Sequence, residues 1–191
     1  MPTEYSNKLL EFNSTAKYRA ELDFMFNIIA PHKNDVIIDY GCGIGTAVKY
    51  FQSKSDAQYF GYDIEYLGLN DRPEWFIQNL ESVSNFNKVY FLHSFAHIRH
   101  IEKELSEIRK RIDYKGEIFI LTPNLEFDLY YKQMLPDPSY KPDDTVIQHF
   151  NICALKETLD KAHYVISRTG YFGKIINGQI SERIYAVAAA N

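Results

Sequence analysis

The stretch Val36-Ile37-Ile38-Asp39-Tyr40-Gly41-Cys42-Gly43-Ile44-Gly45-Thr46 constrains this chain more than any other. Its β-branched opening reads as a strand buried on both faces, and glycine at every second position afterwards ends that strand in a tight turn. A backbone without Cβ lets a ligand approach closely. The following Thr46-Ala47-Val48-Lys49-Tyr50-Phe51 reads as a helix. The loop therefore joins a strand end to a helix N-terminus, where open α/β sheets bind their ligands.

The spacing of the glycines separates the ligands that use such a loop. A dinucleotide fingerprint, G-x-G-x-x-G, needs glycine at position 46, where threonine stands. Here glycines 41, 43 and 45 follow Asp39 as D-x-G-x-G-x-G. This arrangement resembles motif I of the class I S-adenosylmethionine (SAM) dependent methyltransferases. The cofactor of that family has no pyrophosphate to cradle, and its methionine end carries an ammonium that an acidic strand-end residue attracts. Taken alone, the loop also reads as a Gly-rich turn without a ligand, or as a dinucleotide loop with altered spacing.

The chain has 191 residues, enough for one well-buried α/β domain, and its 46% apolar and 15% aromatic content is that of a packed globule. Net charge is −4 with no long basic block, which argues against a nucleic-acid partner. Cys42 and Cys153 are too far apart in sequence for a disulfide framework or a Cys-type zinc site. The sequence shows no N-terminal apolar h-region and no membrane span, so a cytoplasmic location is expected.

Residues 1 to 13 lack clear periodicity. From Ala16 to Ala30, Tyr18, Leu22, Met25 and Ile29 recur at helical spacing, with Ser14 or Thr15 as cap and Pro31 as stop. Strands are expected at Gln58–Tyr62, Trp75–Gln78, Lys88–Leu92, Glu117–Leu121, Tyr164–Ser167 and Arg183–Ala188, the last preceded by the turn signal Asn177-Gly178. Amphipathic helices are expected through Ile98, Ile101, Leu105, Ile108 and Ile112, and again through Ile152, Leu155, Leu159 and Ala162 behind an Asn151 cap. Between Asn124 and Gln148 lies an aromatic, proline-bearing stretch with Phe127, Tyr130, Tyr131 and Tyr140, Pro136, Pro138 and Pro142, and Asp143-Asp144. Its length and aromatic density suggest a substrate-side lid, helical near Leu125 to Met134, or else an oligomer contact.

The order of these pieces is similar to the class I methyltransferase layout over nearly the whole chain. The resemblance implies one Rossmann-like doubly wound α/β sheet over residues 1–191: seven strands, mostly parallel with an antiparallel C-terminal strand, and a lid-like insertion at about 124–148. It also implies that Asp39, Gly41, Cys42 and Gly43 hold the cofactor at the loop. Asp63 would accept from both ribose hydroxyls, with Ile64 beside it. Asn79 and Leu80 would read and pack the adenine, and His93 would line the pocket. Asp63 also reads as a helix cap, and Asn79 as a surface-turn asparagine. Asn79 departs from the Asp that many members carry there.

The implied reaction is methyl transfer from SAM to a small-molecule or sugar-bearing acceptor through an oxygen or nitrogen nucleophile. Candidate bases are His149, which follows the lid, and His97, which also reads as a structural helix-start residue; His93 and Tyr130 are alternatives. No Asp/Asn-Pro-Pro-aromatic tetrapeptide of DNA amino-methyltransferases follows the fourth strand, where His93-Ser94-Phe95-Ala96 stands. His93, His97 and His100 share helical spacing but lack an open-site ligand set, so no metal is expected. A homodimer is compatible with the aromatic stretch. From a different class, the chain would be a non-catalytic partner that keeps the fold and binds SAM.

Overall fold

The computed structural model describes residues 4–64, 72–134, 146–176 and 180–190. Seven strands are β1 (Val36–Tyr40), β2 (Gln58–Tyr62), β3 (Phe76–Ile77), β4 (Lys88–Leu92), β5 (Glu117–Pro123), β6 (Tyr164–Ile176) and β7 (Ile180–Ala190). They form one sheet in the order β3-β2-β1-β4-β5-β7-β6. β1 pairs parallel with both β2 and β4, while β7 runs antiparallel to β5 and β6. Strand order reverses between β1 and β4, which places the carboxyl ends of these two strands at the crevice where such sheets bind ligands. The expected sheet is thus the observed one.

The strands bury both faces because successive side chains alternate. In β5, Phe119 and Leu121 pack with α2 (Ala16–Ile29) and α3 (Thr46–Gln52), while Ile118 and Ile120 pack with α4 (Ile101–Arg109) and α6 (Ile152–Lys161). The alternate-face residues Tyr90 and Phe91 of β4 divide in the same way. Helix ends follow the expected chemistry. Thr15 caps α2 by accepting from the Tyr18 N–H at 3.1 Å, and Asn151 caps α6 by accepting from the Ala154 N–H at 2.9 Å.

Several boundaries differ from the sequence expectations. α1 (Glu4–Asn13) is helical without strong periodicity because its end is docked: Phe12 lies 5.3 Å from the Tyr18 ring, and Asn13 donates to Thr46 Oγ1 at 2.9 Å. β6 continues well beyond Ser167. Register shifts between Ile166 and Arg168 and between Phe172 and Ile175 break the alternation by which a strand is recognised. β3 has only two residues. Ile98 lies outside α4, behind a 3₁₀ turn over Phe95–His97. α5 (Leu125–Met134) matches the expected helical part of the lid-like stretch. Residues 135–145 of that stretch, with Pro136, Pro138, Tyr140, Pro142, Asp143 and Asp144, lie outside the described residues, as does the Asn177-Gly178 turn.

Candidate functional site

The glycine loop runs from β1 into α3 with Gly41, Gly43 and Gly45 at φ of 82°, 53° and 75°. Those left-handed angles favour glycine. Space requires it as well. A Cβ on Gly41 would sit 2.3 Å from Ser94 Cβ, and one on Gly45 would sit 1.9 Å from Cη2 of the Trp75 ring. The Ser94 hydroxyl donates to the Tyr40 carbonyl, tying the end of β4 to the start of the loop.

Four of the loop's N–H groups, those of Gly41, Cys42, Gly43 and Gly45, are already committed. Those of Gly41 and Cys42 donate to the Tyr62 carbonyl at 2.7 and 3.1 Å, and that of Gly45 donates to Cys42 O at 2.8 Å. The Gly43 N–H donates to Asp63 Oδ2 at 2.8 Å. A loop built to cradle a pyrophosphate presents such donors to the ligand; this one spends them on protein acceptors and sets a carboxylate beside them. Asp63 therefore stands across the loop from Gly43 at the end of β2. The neighbouring Ile64 is 88% exposed.

Asp39 lies beneath, buried in β1 between its partners Gly61 and Tyr90. Burial pushes its carboxyl up to about 8. The Tyr90 hydroxyl, close but short of full hydrogen-bonding geometry, offsets part of that rise, and the charge of Asp63 adds to it. Asp39 is thus mostly protonated at pH 7.

His93 follows β4 directly, at φ 65°, with its N–H donating to the Leu121 carbonyl at 3.0 Å. Its ring Nε2 lies 2.8 Å from Glu21 Oε2, and the other Glu21 oxygen accepts from Arg183 Nε at 3.0 Å. Glu21 is fully buried. Burial pushes its carboxyl upward, but the His93 hydrogen bond and the charges of Arg183 and Lys17 outweigh that and hold it below the ordinary value. Burial lowers the His93 imidazole despite the glutamate. Beside the ring, a cavity of ≈ 80 Å³ is lined by Phe12, Tyr18, Gly41, Gly43 and His93 among others.

The structure therefore brings together Asp39, Gly41, Cys42, Gly43, Asp63 and His93. The other candidates stand apart. Asn79 caps a 3₁₀ turn over Leu80–Ser82, its side-chain oxygen accepting from the Glu81 N–H at 2.9 Å, which is the surface-turn arrangement. Leu80 is buried in the core on the α4 side of the sheet. His97 is half-buried in its 3₁₀ turn, and His149 is exposed in a segment stapled to residues 96–99 through Gln148. Neither histidine lines the cavity at the glycine loop. Among the described residues, no three His, Cys, Asp or Glu side chains are grouped as a metal site, and no helix is long and apolar enough to cross a membrane.

Sequence reasoning missed Glu21, Arg183 and Trp75. The signal for Glu21 was its place on the apolar face of α2, three residues after Tyr18 and four before Met25. A carboxylate there is buried and needs partners. Trp75 gave no such signal. Read as an ordinary strand residue, it instead lays its ring against the Cα positions of Gly45 and Gly61.

A family model described as a methyltransferase domain matches residues 10–167. No curated protein matches the chain. Among solved structures, a SAM dependent methyltransferase from Archaeoglobus fulgidus is similar with a TM-score of 0.69 at 15% identity, covering 98% of this chain and all of its own. The 1,6-didemethyltoxoflavin-N1-methyltransferase of Burkholderia thailandensis, bound to 1,6-didemethyltoxoflavin and S-adenosylhomocysteine, has a TM-score of 0.66 at 15% identity, covering 100% of this chain and 90% of its own. The magnesium protoporphyrin IX methyltransferase of Synechocystis PCC 6803, with bound S-adenosylhomocysteine, has a TM-score of 0.62 at 15% identity, with coverages of 91% and 84%. At that identity these structures share the fold.

Proposed function

The chain belongs to the methyltransferase domain family and its cofactor is SAM; from that premise we propose that it transfers a methyl group to an oxygen or nitrogen of a small-molecule or glycan-linked acceptor. The observation that carries this reading is the committed set of loop N–H groups, which leaves a floor of glycine backbone flanked by Asp39 and Asp63. Such a floor suits a ligand with an ammonium and a ribose diol and no phosphate. When bound, the cofactor supplies a methyl group on a positively charged sulfur. The chain's task is to hold the acceptor atom in line with that methyl group, which accounts for much of the rate such a reaction gains. In the proposed site Asp39, Gly41, Cys42 and Gly43 receive the methionine end, Asp63 the ribose and Ile64 the adenine. α5 stands on the acceptor side.

Trp75 is the chain's sole tryptophan and it touches the loop. Its fluorescence should change saturably with SAM and with S-adenosylhomocysteine and stay flat with NAD⁺. A response to NAD⁺ alone would replace the reading by a dinucleotide site. Cofactor binding without label transfer from methyl-tritiated SAM to a cell's small-molecule extract would favour the non-catalytic alternative.

Asp63→Ala should weaken SAM by roughly 2 to 3 kcal/mol, the scale of hydrogen bonds to a charged group. A cofactor analogue lacking both ribose hydroxyls should bind the parent and the variant nearly alike. Equal discrimination against the analogue by both proteins would remove the ribose role.

Asp39 makes cofactor binding pH-dependent. Its raised carboxyl is mostly neutral below about 8, whereas an ammonium partner favours the anion, so binding should expel a proton. Affinity should rise between about pH 6 and pH 7, below the pKa of about 7.7 to 8.0 at which an α-amino group titrates. Calorimetry in two buffers of different ionisation heat should show proton release, and Asp39→Asn should abolish it. Release that persists in Asp39→Asn would assign the proton elsewhere.

A further inference from the structure

Resting on the methyl-transfer reading, we propose that His93 is the general base of this enzyme, that Glu21 is the residue that positions it, and that the acceptor therefore presents a hydroxyl. The placement comes first. β4 ends at the switch point beside β1, so the residue after it faces the crevice next to the glycine loop. His93 lines the cavity there together with Gly41 and Gly43.

The backbone at this residue is costly. A non-glycine residue at φ 65° is uncommon, and such conformations are held in place where the surroundings over-determine them. Two contacts do so here, the N–H bond to Leu121 O and the ring bond to Glu21.

The ring bond also sets the chemistry. Glu21 is an acceptor, so the 2.8 Å contact places the imidazole proton on Nε2 and leaves the lone pair on Nδ1. Arg183 holds the second carboxylate oxygen at 3.0 Å, which fixes the glutamate and restrains its own appetite for the proton. Around the ring, α2 contributes Lys17, Tyr18 and Glu21, β7 contributes Arg183, and α1 contributes the uncharged Phe12 at 5.6 Å between ring centroids. Burial and the two cations favour the neutral ring, and Glu21 opposes them less strongly.

A neutral imidazole with a bare Nδ1 beside the cofactor floor is a base in waiting. A neutral amine already has its lone pair and has little use for such a base; a hydroxyl does need one. As the acceptor oxygen bonds to the methyl carbon, the carbon–sulfur electron pair stays on sulfur and the hydroxyl proton passes to His93 Nδ1. The products are a methyl ether and a neutral thioether, and the imidazolium returns its proton to water.

The test uses the full chain labelled with ¹⁵N-histidine and bound to S-adenosylhomocysteine. Above about pH 7 the His93 ring should be neutral, with its proton on Nε2 and Nδ1 bare, and Glu21→Gln should weaken that tautomer preference. A proton on Nδ1 at pH 7, or a cationic ring throughout, overturns the proposal without touching the cofactor reading. Alongside it, label transfer from methyl-tritiated SAM to a small-molecule extract should fall by roughly 10² or more in His93→Gln, a change that keeps a donor for Glu21. S-adenosylhomocysteine affinity should stay within about three-fold, the mark of a group used in the transition state alone. Glu21→Gln should move the acidic limb of the pH–rate profile. Undiminished transfer in His93→Gln, or product methylated on nitrogen, overturns the base and the acceptor class while methyl transfer stands. No transfer by the unmodified protein overturns the parent reading instead.

Discussion

Gly45→Ala is expected to cost roughly 2 to 5 kcal/mol of stability and to lower SAM affinity by about 10² in whatever fraction remains folded. Two separate penalties meet at this position. At φ 75° an alanine adopts a left-handed conformation that costs roughly 1 to 2 kcal/mol. Its methyl group would also stand 1.9, 2.6 and 2.8 Å from three atoms of the Trp75 ring. That ring is rigid, and one of the same atoms also stands 2.9 Å from where a Cβ on Gly61 would be, so the indole fills the space beside both glycines. Either the indole or the loop must shift, and the loop is the floor of the proposed cofactor site. Melting temperature and titration with S-adenosylhomocysteine measure the two effects. The double variant Gly45→Ala with Trp75→Leu should regain the part due to collision and none of the part due to φ. Parental affinity in Gly45→Ala would mean that the loop does not carry the cofactor.

How much of this was legible in the sequence depended on whether a segment's structure is decided locally. β1, β2 and β4 have the expected bounds because their apolar runs are unbroken and end in turns. The caps Thr15 and Asn151 are likewise short-range hydrogen-bond chemistry, readable without any tertiary knowledge. Elements fixed by distant partners were read less well. α1 is held by Tyr18 and Thr46, and β6 follows β7 through two register shifts that no alternation rule anticipates. In the candidate site, the glycines and Asp63 were found because they lie within one βα unit of each other. Glu21 and Arg183, separated from His93 by 72 and 90 residues, meet it only after the sheet has formed. His149 drew attention by following the aromatic stretch, yet the backbone bonds of residues 147 and 148 to Ala96 O hold its segment against the start of the 95–99 turn, and its side chain is exposed.

Lys88→Met should destabilise the protein by about 3 to 5 kcal/mol, the scale of breaking a buried ion pair, which lowers the melting temperature by roughly 6 to 20 °C for a chain of this length. Lys88 is 9% exposed at the start of β4, and its ammonium lies 2.7 Å from Asp35 Oδ2. It also donates to the carbonyls of Ile29 and Ala30 at 3.0 and 3.3 Å, at an α2 end where carbonyls lack intrahelical partners. Asp35 accepts further from the His32 N–H and from Asn87, each at 2.8 Å. One lysine thus joins a helix end to the starts of β1 and β4. Burial pushes the Asp35 carboxyl up, but Lys88, the His32 N–H and Asn87 outweigh it and hold the group below its usual range. The sign follows: the stabilisation is present above the ordinary carboxylate pKa of about 3.9 and is lost as pH falls through the lower folded value. In Lys88→Met the cation is gone while the burial remains, so the Asp35 carboxyl should titrate higher than in the parent. The parent's advantage should therefore shrink as pH falls from about 7 towards 4. The cluster lies at the amino ends of the strands, across the sheet from the glycine loop, so the folded variant should bind S-adenosylhomocysteine as the parent does. A lower affinity with an unchanged melting temperature would reverse that division, making the lysine part of the site and not of the frame beneath it.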